Sequence, residues 1–208
     1  MIWAVILAAG QSRRMGVQKL LLPFGGSRQS RSTEVGSPGR TVIGHIVGEV
    51  LRSPVDQTLV VVGRDAARVA SALTGLGVTY ATNPDPDGDM LSSVRCGLRA
   101  LPADCRGVLV VLGDQPSITS DLIGRMLDAF GAGDRGIVVP VYGGRRGHPI
   151  LFSASYGPEI LTGFDSVGLR GLLGAHGPDV LELPVTSPCV LSDMDYPEDY
   201  RREMGESD

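Results

Sequence analysis

The chain has 208 residues, of which 42% are hydrophobic, 20% charged and 5% aromatic; this is a globular composition and excludes a fibrous or low-complexity chain. At about 100 to 200 residues per domain, that length predicts one domain over residues 1–208 with a single substantial core. With 19 basic against 23 acidic residues and a formal charge of −4, no broad polyanion-binding surface is expected, so nucleic acid is not a predicted partner and any phosphate recognition must be local.

Cys96, Cys105 and Cys189 form no CxxC pair, which argues against a disulfide framework or a cysteine zinc site and predicts a reducing, cytoplasmic setting. The apolar opening, Met1 to Gly10, has no basic residue ahead of it and reads as a buried strand, not a signal segment. No apolar run approaches the roughly 20 residues that span a bilayer, so no membrane association is expected.

Short β-branched runs at Trp3–Leu7, Thr58–Val62, Val108–Leu112 and Ile137–Val141 are bounded by Gly, Pro or Asp and suit strands buried on both faces. Helical spacing fills the intervals at Val42–Arg52, Ala66–Leu73, Leu91–Leu101 and Asp121–Phe130. This β-α alternation predicts an α/β fold with a mostly parallel sheet flanked by helices. Asp65 and Ser120 stand at expected N-cap positions, and Ser153 could open a short helix. The 27–40 segment, SRQSRSTEVGSPGR, lacks apolar periodicity and reads as a flexible loop insertion. Gly143 to Gly147 reads as a turn between two short strands, Gly163 to Gly177 as small helical pieces, and Pro197 as the first residue of a terminal helix.

The first strand runs into Leu7-Ala8-Ala9-Gly10-Gln11-Ser12-Arg13-Arg14-Met15-Gly16-Val17-Gln18-Lys19. In a parallel sheet, ligands bind beyond the carboxyl ends of the strands, so a glycine-rich basic turn there suits a nucleotide phosphate chain. The spacing fits neither a Walker A loop nor a GxGxxG dinucleotide loop, which disfavours a nicotinamide oxidoreductase. Read from the residues alone, Asp114 after the Val108–Leu112 run suits either a turn or a metal ligand, and Asp195 either a helix-start acid or a ligand. His148 has no acidic neighbour in sequence and suits either a turn-supporting or an acceptor-side role.

The stretch resembles the L-A-A-G-x-S-x-R-M-G-x-x-K signature of the MobA-like nucleotidyltransferases, most of all the molybdenum cofactor cytidylyltransferase branch. Leu20 to Gly26, Asn83-Pro84, Met90 with Ser92-Ser93, Gly113-Asp114-Gln115-Pro116, Gly147-His148-Pro149 and Asp193 to Asp199 follow in the family's order. The resemblance implies a three-layer α/β/α, Rossmann-like (GT-A-like) nucleotidyltransferase fold. It implies that Gly10, Arg14 and Lys19 hold the triphosphate, with Ser12 a phosphate or capping contact. Ala8, Ala9, Ser92 and Ser93 would line the nucleobase pocket, Asn83 would be a base or ribose contact and Leu7 a further nucleotide-binding residue, and Asp114 and Asp195, with Asp193 nearby, would bind Mg²⁺. Arg14, Lys19 and Asp114 would be the catalytic set, with His148 on the acceptor side.

The implied reaction transfers CMP from CTP to the phosphate of molybdopterin, with a molybdoenzyme or its maturation chaperone as a further partner. Leu7-Ala8-Ala9-Gly10 and Gly113-Asp114, where GTP-using relatives usually read L-A-G-G and Cys-Asp, favour CTP by family analogy. GTP as donor, a sugar or polyol phosphate acceptor, and a non-catalytic delivery protein are the alternatives. Asp89 departs from the family's usual glycine before the Met, placing an extra carboxylate near the expected triphosphate.

Overall fold

The structure, a computed structural model, describes residues 1–12, 14–25, 41–85 and 87–205. The 27–40 segment read as a loop insertion lies outside the described residues. Eight strands form one sheet: β1 (Ile2–Ala8), β2 (Gln57–Val62), β3 (Thr79–Thr82), β4 (Gly107–Leu112), β5 (Ile137–Tyr142), β6 (Arg145–Arg146), β7 (Ile150–Ser153) and β8 (Val180–Pro184). Their order is β3-β2-β1-β4-β7-β5-β6, with β8 also paired to β5. The β3-β2-β1-β4 portion is parallel, as is β5 with β8, whereas β7 runs antiparallel to both β4 and β5. The mostly parallel α/β sheet expected from the sequence is therefore present.

Period-2 alternation sorts the strand side chains onto two faces. Ala4, Ile6, Val60, Val62, Leu109 and Val111 pack on one face against Ile43, Ile46 and Val50 of α1 (Val42–Arg52), Val69 of α2 (Ala66–Ala72) and Met126 of α4 (Ser120–Ala132). Val5, Val61, Val108, Val110, Ile150 and Phe152 pack on the other against Val94 of α3 (Met90–Ala100), Ile160 of α5 (Gly157–Thr162) and Leu172 of α6 (Leu169–Ala175). The continuous apolar runs thus serve two cores, giving three layers. The last helix, α7 (Pro197–Glu203), begins at Pro197 as expected.

One capping assignment changes. Thr119, not Ser120, caps α4: its hydroxyl accepts from Leu122 N at 3.3 Å, and Ser120 is the first helical residue. Asp65 stands at the N-cap position of α2 as expected, but its carboxylate accepts from the Gln18 and Arg68 side chains and not from a backbone N–H of the helix. Ser153 does open a short 3₁₀ turn, accepting from Ser155 N. Asp89, the departure from the family pattern, caps α3 by accepting from Ser92 N at 2.9 Å. Among the described residues no helix is long and apolar enough to cross a membrane.

Phe152 is fully buried in the second core, whereas Met90 is 48% exposed at the start of α3. Phe152→Ala should cost about 3–5 kcal/mol and Met90→Ala less than about 0.5 kcal/mol, measured as the shift in urea midpoint at constant m-value.

Candidate functional site

The site lies where the strand order reverses, with β2 on one side of β1 and β4 on the other, the position at which open α/β sheets place ligands. The turn after β1 is tied internally. Ser12 holds left-handed backbone at φ 51°; its hydroxyl accepts from Lys19 N at 3.1 Å and donates to Gln18 Oε1 at 2.8 Å. Gln18 Nε2 in turn donates to Asp65 Oδ2 at 2.7 Å, binding the turn to the end of β2.

Close backbone approach sets the depth of the crevice. A Cβ on Gly113 would stand 2.6 Å from the Leu7 carbonyl oxygen, and one on Gly63 2.8 Å from that of Ala9. The glycines therefore let the ends of β4 and β2 close on the turn, and Gly113 N bonds Leu7 O at 3.0 Å. Asp114 consequently starts beside the β1 turn. The C-terminal segment arrives through Met194 N, which bonds Asp114 O at 3.1 Å while the Met194 side chain is buried. The Asp199 carboxylate then accepts from Asp195 N and Tyr196 N at 3.0 and 2.8 Å.

These three segments meet on one cation. Lys19 Nζ lies 2.6 Å from Asp114 Oδ2 and 2.9 Å from Asp195 Oδ1, and Arg14 also pairs with Asp195. Lys19 is only 8% exposed. Its burial works against the ammonium, but Asp114 and then Asp195 outweigh that, so its pKa is raised. The hydrogen bond from Lys19 holds the Asp195 carboxyl below its ordinary range, against its partial burial and with help from Arg14. Burial pushes Asp193 the other way, reinforced by the negative charges of Asp114 and Asp195 and opposed by its bond from Gln115. Gln115 Nε2 reaches Asp193 Oδ1 at 2.7 Å.

Leu7, Ala9, Gly10, Lys19, Ser93 and Asp114 are among the residues lining a cavity of about 290 Å³, with Asp89, Asp193 and Asp195 at its wall. Ala8 instead lines an adjoining hollow of about 150 Å³ beside Gln11, Gln18, Arg64 and Asp65. Asn83 is buried, and its amide donates to Ser92 Oγ at 2.9 Å and Ser93 Oγ at 3.1 Å. Ser92 thus serves the start of α3, donating to Asp89 O as well. His148 is not in the cavity wall; its backbone N–H bonds Val190 O at 2.9 Å. Burial pushes its imidazole down to about 4, opposed by the charge of Asp114 and assisted by that of Arg170.

Residues 4–180 match the MobA-like NTP transferase domain. The chain belongs to this family. Among curated relatives, the bifunctional protein GlmU of Kineococcus radiotolerans is 34% identical over 140 residues, covering 65% of this chain and 26% of GlmU. The chain thus spans about a quarter of the length of the GlmU relatives it matches. The purine catabolism protein PucB of Bacillus subtilis is 29% identical over 219 residues and 96% of both chains. The crystal structure of Rv0371c from Mycobacterium tuberculosis superposes with a TM-score of 0.82 at 29% identity, covering 98% of this chain and 97% of that one. The same mycobacterial protein has been solved with manganese, at a TM-score of 0.77, 28% identity and 99% coverage of each chain. The MobA-like domain therefore accounts for most of the chain described here.

A divalent metal fits the donor set. Asp114 and Asp195 offer hard carboxylate oxygens within reach of one ammonium, and Mg²⁺ takes one or two carboxylates, keeping waters and phosphate oxygens for its remaining positions. Among the described residues no group of three or more His, Cys, Asp or Glu side chains forms a fuller cage. Three contributors escape sequence reading: Gln18, which braces the turn; Gln115, which holds Asp193; and Gly63, which admits Ala9. The Gly113-Asp114-Gln115-Pro116 motif contained the second, but nothing in a lone glutamine signals an orienting role.

Lys19→Met should raise the Asp195 pKa toward its ordinary value, followed by NMR titration of the carboxyl carbons. The stability that the wild-type pair contributes is complete above pH 3.8 and is lost as pH falls below it; the variant should lose less across that window. For His148 the folded value lies below the ordinary 6.5, so the unfolded chain binds the proton first and stability falls as pH drops from about 6.5 to about 4. Thermal melts of His148→Gln should show a flatter decline than wild type over that interval.

Proposed function

We propose that this chain transfers CMP from CTP to the phosphate monoester of molybdopterin, releasing pyrophosphate and forming the cytosine dinucleotide form of the molybdenum cofactor. The observation that carries the reading is the buried Lys19 ammonium held between Asp114 and Asp195 at the floor of a cavity walled by the β1 turn. An acceptor phosphate oxygen attacks the α-phosphorus of CTP, a new P–O bond forms, and the bond from that phosphorus to the bridging oxygen breaks. The electron pair leaves with pyrophosphate. No side chain forms a covalent intermediate, so the protein aligns the phosphates and stabilises the charge.

Lys19 and Arg14 move from carboxylate to triphosphate oxygens when the nucleotide arrives, Lys19 facing the attacked phosphoryl group. Asp114 and Asp195 would hold Mg²⁺, which would supply charge neutralisation and a template for the phosphate chain; the manganese-bound mycobacterial structure supports a divalent ion here. Ala9 and Ser93, both in the cavity wall, border the base, with small side chains admitting its edge to backbone groups. The CTP assignment rests on Ala9 and Gly113 by family analogy. The molybdopterin acceptor draws support from full-length likeness to PucB, a purine catabolism protein, since xanthine dehydrogenase-like molybdoenzymes oxidise purines. The partial match to GlmU favours a sugar phosphate acceptor as the second reading.

Calorimetry of CTP, GTP, ATP and UTP with and without Mg²⁺, followed by pyrophosphate release with molybdopterin, tests this directly. CTP should bind tightest, and Asp114→Asn should lower turnover on the order of 100-fold or more without unfolding the chain. Tightest binding of GTP would overturn the donor, and turnover only with a sugar 1-phosphate would overturn the acceptor.

A further inference from the structure

Asp195 enters the site on a slender support. The 192–196 segment, between the 3₁₀ turn Pro188–Leu191 and α7, forms no helix or strand. The seven residues of α7 are too few for a helix that is stable in water by itself. Whatever fixes α7 to the fold therefore fixes Asp195.

Two neighbouring side chains of α7 reach across to other segments. Tyr200 and Glu203 stand three residues apart, a spacing that sets them side by side on a helix. The Tyr200 hydroxyl donates to Pro23 O at 2.6 Å, and Glu203 accepts from the Ser117 hydroxyl. Both anchor points are firm. Pro23 bridges to Thr41, the N-cap of α1, and follows the 3₁₀ turn Lys19–Leu21, whose Leu20 is buried. Ser117 precedes Ile118, which is buried in the first core and whose N–H bonds Gln115 O at 3.2 Å. The Tyr200 ring packs against the same core.

Pro23 lies four residues after Lys19, and Ser117 three residues after Asp114. The helix is thus tied separately to the segment carrying Lys19, which bonds Asp195 at 2.9 Å, and to the segment carrying Asp114, which shares that ammonium at 2.6 Å. Asp199, one residue before Tyr200, completes the path by accepting from Asp195 N and Tyr196 N at 3.0 and 2.8 Å. An outer set of hydrogen bonds therefore repeats, a few residues further along each segment, the inner meeting of Lys19, Asp114 and Asp195.

We infer that Tyr200 and Glu203 are positioning residues for Asp195, holding its carboxylate beside that of Asp114 for the divalent metal. Ligating carboxylates take their direction from such outer partners, and loss of one costs about 10- to 100-fold in metal affinity. Both residues lie past the 4–180 span of the family domain, so the chain beyond that span supplies this part of the site. The inference rests on Asp114 and Asp195 as the proposed metal pair.

The test titrates Mn²⁺ into the full chain and follows the free ion by electron paramagnetic resonance. Tyr200→Phe keeps the ring in the core and removes only the hydroxyl; Ser117→Ala cuts the tie to Glu203 without altering α7. Each should raise the Mn²⁺ dissociation constant about 10-fold, while the melting temperature falls by less than about 4 °C. Tyr156→Phe is the matched control, because it removes a tyrosine hydroxyl bond, to Asp179, at the opposite end of the sheet, where Ala154 N bonds Arg106 O just before β4. It should leave Mn²⁺ affinity within about twofold. Unchanged affinity in either test variant, or an equal loss in Tyr156→Phe, would overturn the inference.

If wild type binds no Mn²⁺, the metal reading fails on its own, and amide hydrogen exchange decides the positioning. Exchange of the Asp195 and Tyr196 amides about fivefold faster in Tyr200→Phe and Ser117→Ala, but not in Tyr156→Phe, upholds it. Unchanged exchange overturns it.

Discussion

The buried ammonium of Lys19 is the contact on which the site depends, because it joins segments 95 and 176 residues away in the chain through Asp114 and Asp195. An ammonium taken from water costs several kcal/mol unless anions compensate it, and here the carboxylates of Asp114 and Asp195 do so. The arrangement is self-consistent only as a set. Without Lys19, four acids, Asp89, Asp114, Asp193 and Asp195, would share one cavity wall, and Asp193 already sits above its ordinary pKa from burial and from Asp114 and Asp195. The same balance explains why a divalent cation and a triphosphate suit the place: the metal can replace the ammonium on the carboxylates while phosphate oxygens take over the ammonium.

How closely the segments meet follows from backbone contacts. Gly113 and Gly63 remove the two Cβ atoms that would hold β4 and β2 off the β1 turn. The turn itself is braced by the hydrogen bonds of Ser12 and Gln18 as well as by the buried Met15 side chain, so its amide groups keep a fixed direction. Asp89 belongs to the same logic. A carboxylate near a triphosphate is unfavourable in isolation, but here it is engaged as the cap of α3 and favoured by the helix N-terminus.

The parallel half of the sheet was legible because strands buried on both faces must be apolar throughout, and β1, β2, β4 and β5 read that way. The glycine-rich turn and its ordered motifs were legible as the family's pattern. β3 was not, since its four residues are mostly exposed, nor was β8, whose alternating burial lacks an apolar run. The antiparallel insertion of β7 between β4 and β5 is a matter of connection, not propensity, and no local pattern encodes it. At the caps, Thr119 and Ser120 are adjacent hydroxyl residues, and only the position of the first helical turn separates them.

The 163–168 loop reads in sequence only as glycine-punctuated helical pieces, because left-handed Phe164 and Ser166 carry no glycine signal and are enforced from a distance by Arg95. That enforcement gives α3 two functions along one rigid axis. Its first turn holds Asn83 through Ser92 and Ser93, and Arg95, three residues after Ser92, fixes the 163–168 loop. Asn83 and this loop are therefore both referred to a single helix packed on β1 and β2. Reactions run by alignment lose rate steeply when the reacting groups shift by an ångström. A shared helix keeps such error small, because any displacement of α3 moves Asn83 and the 163–168 loop together.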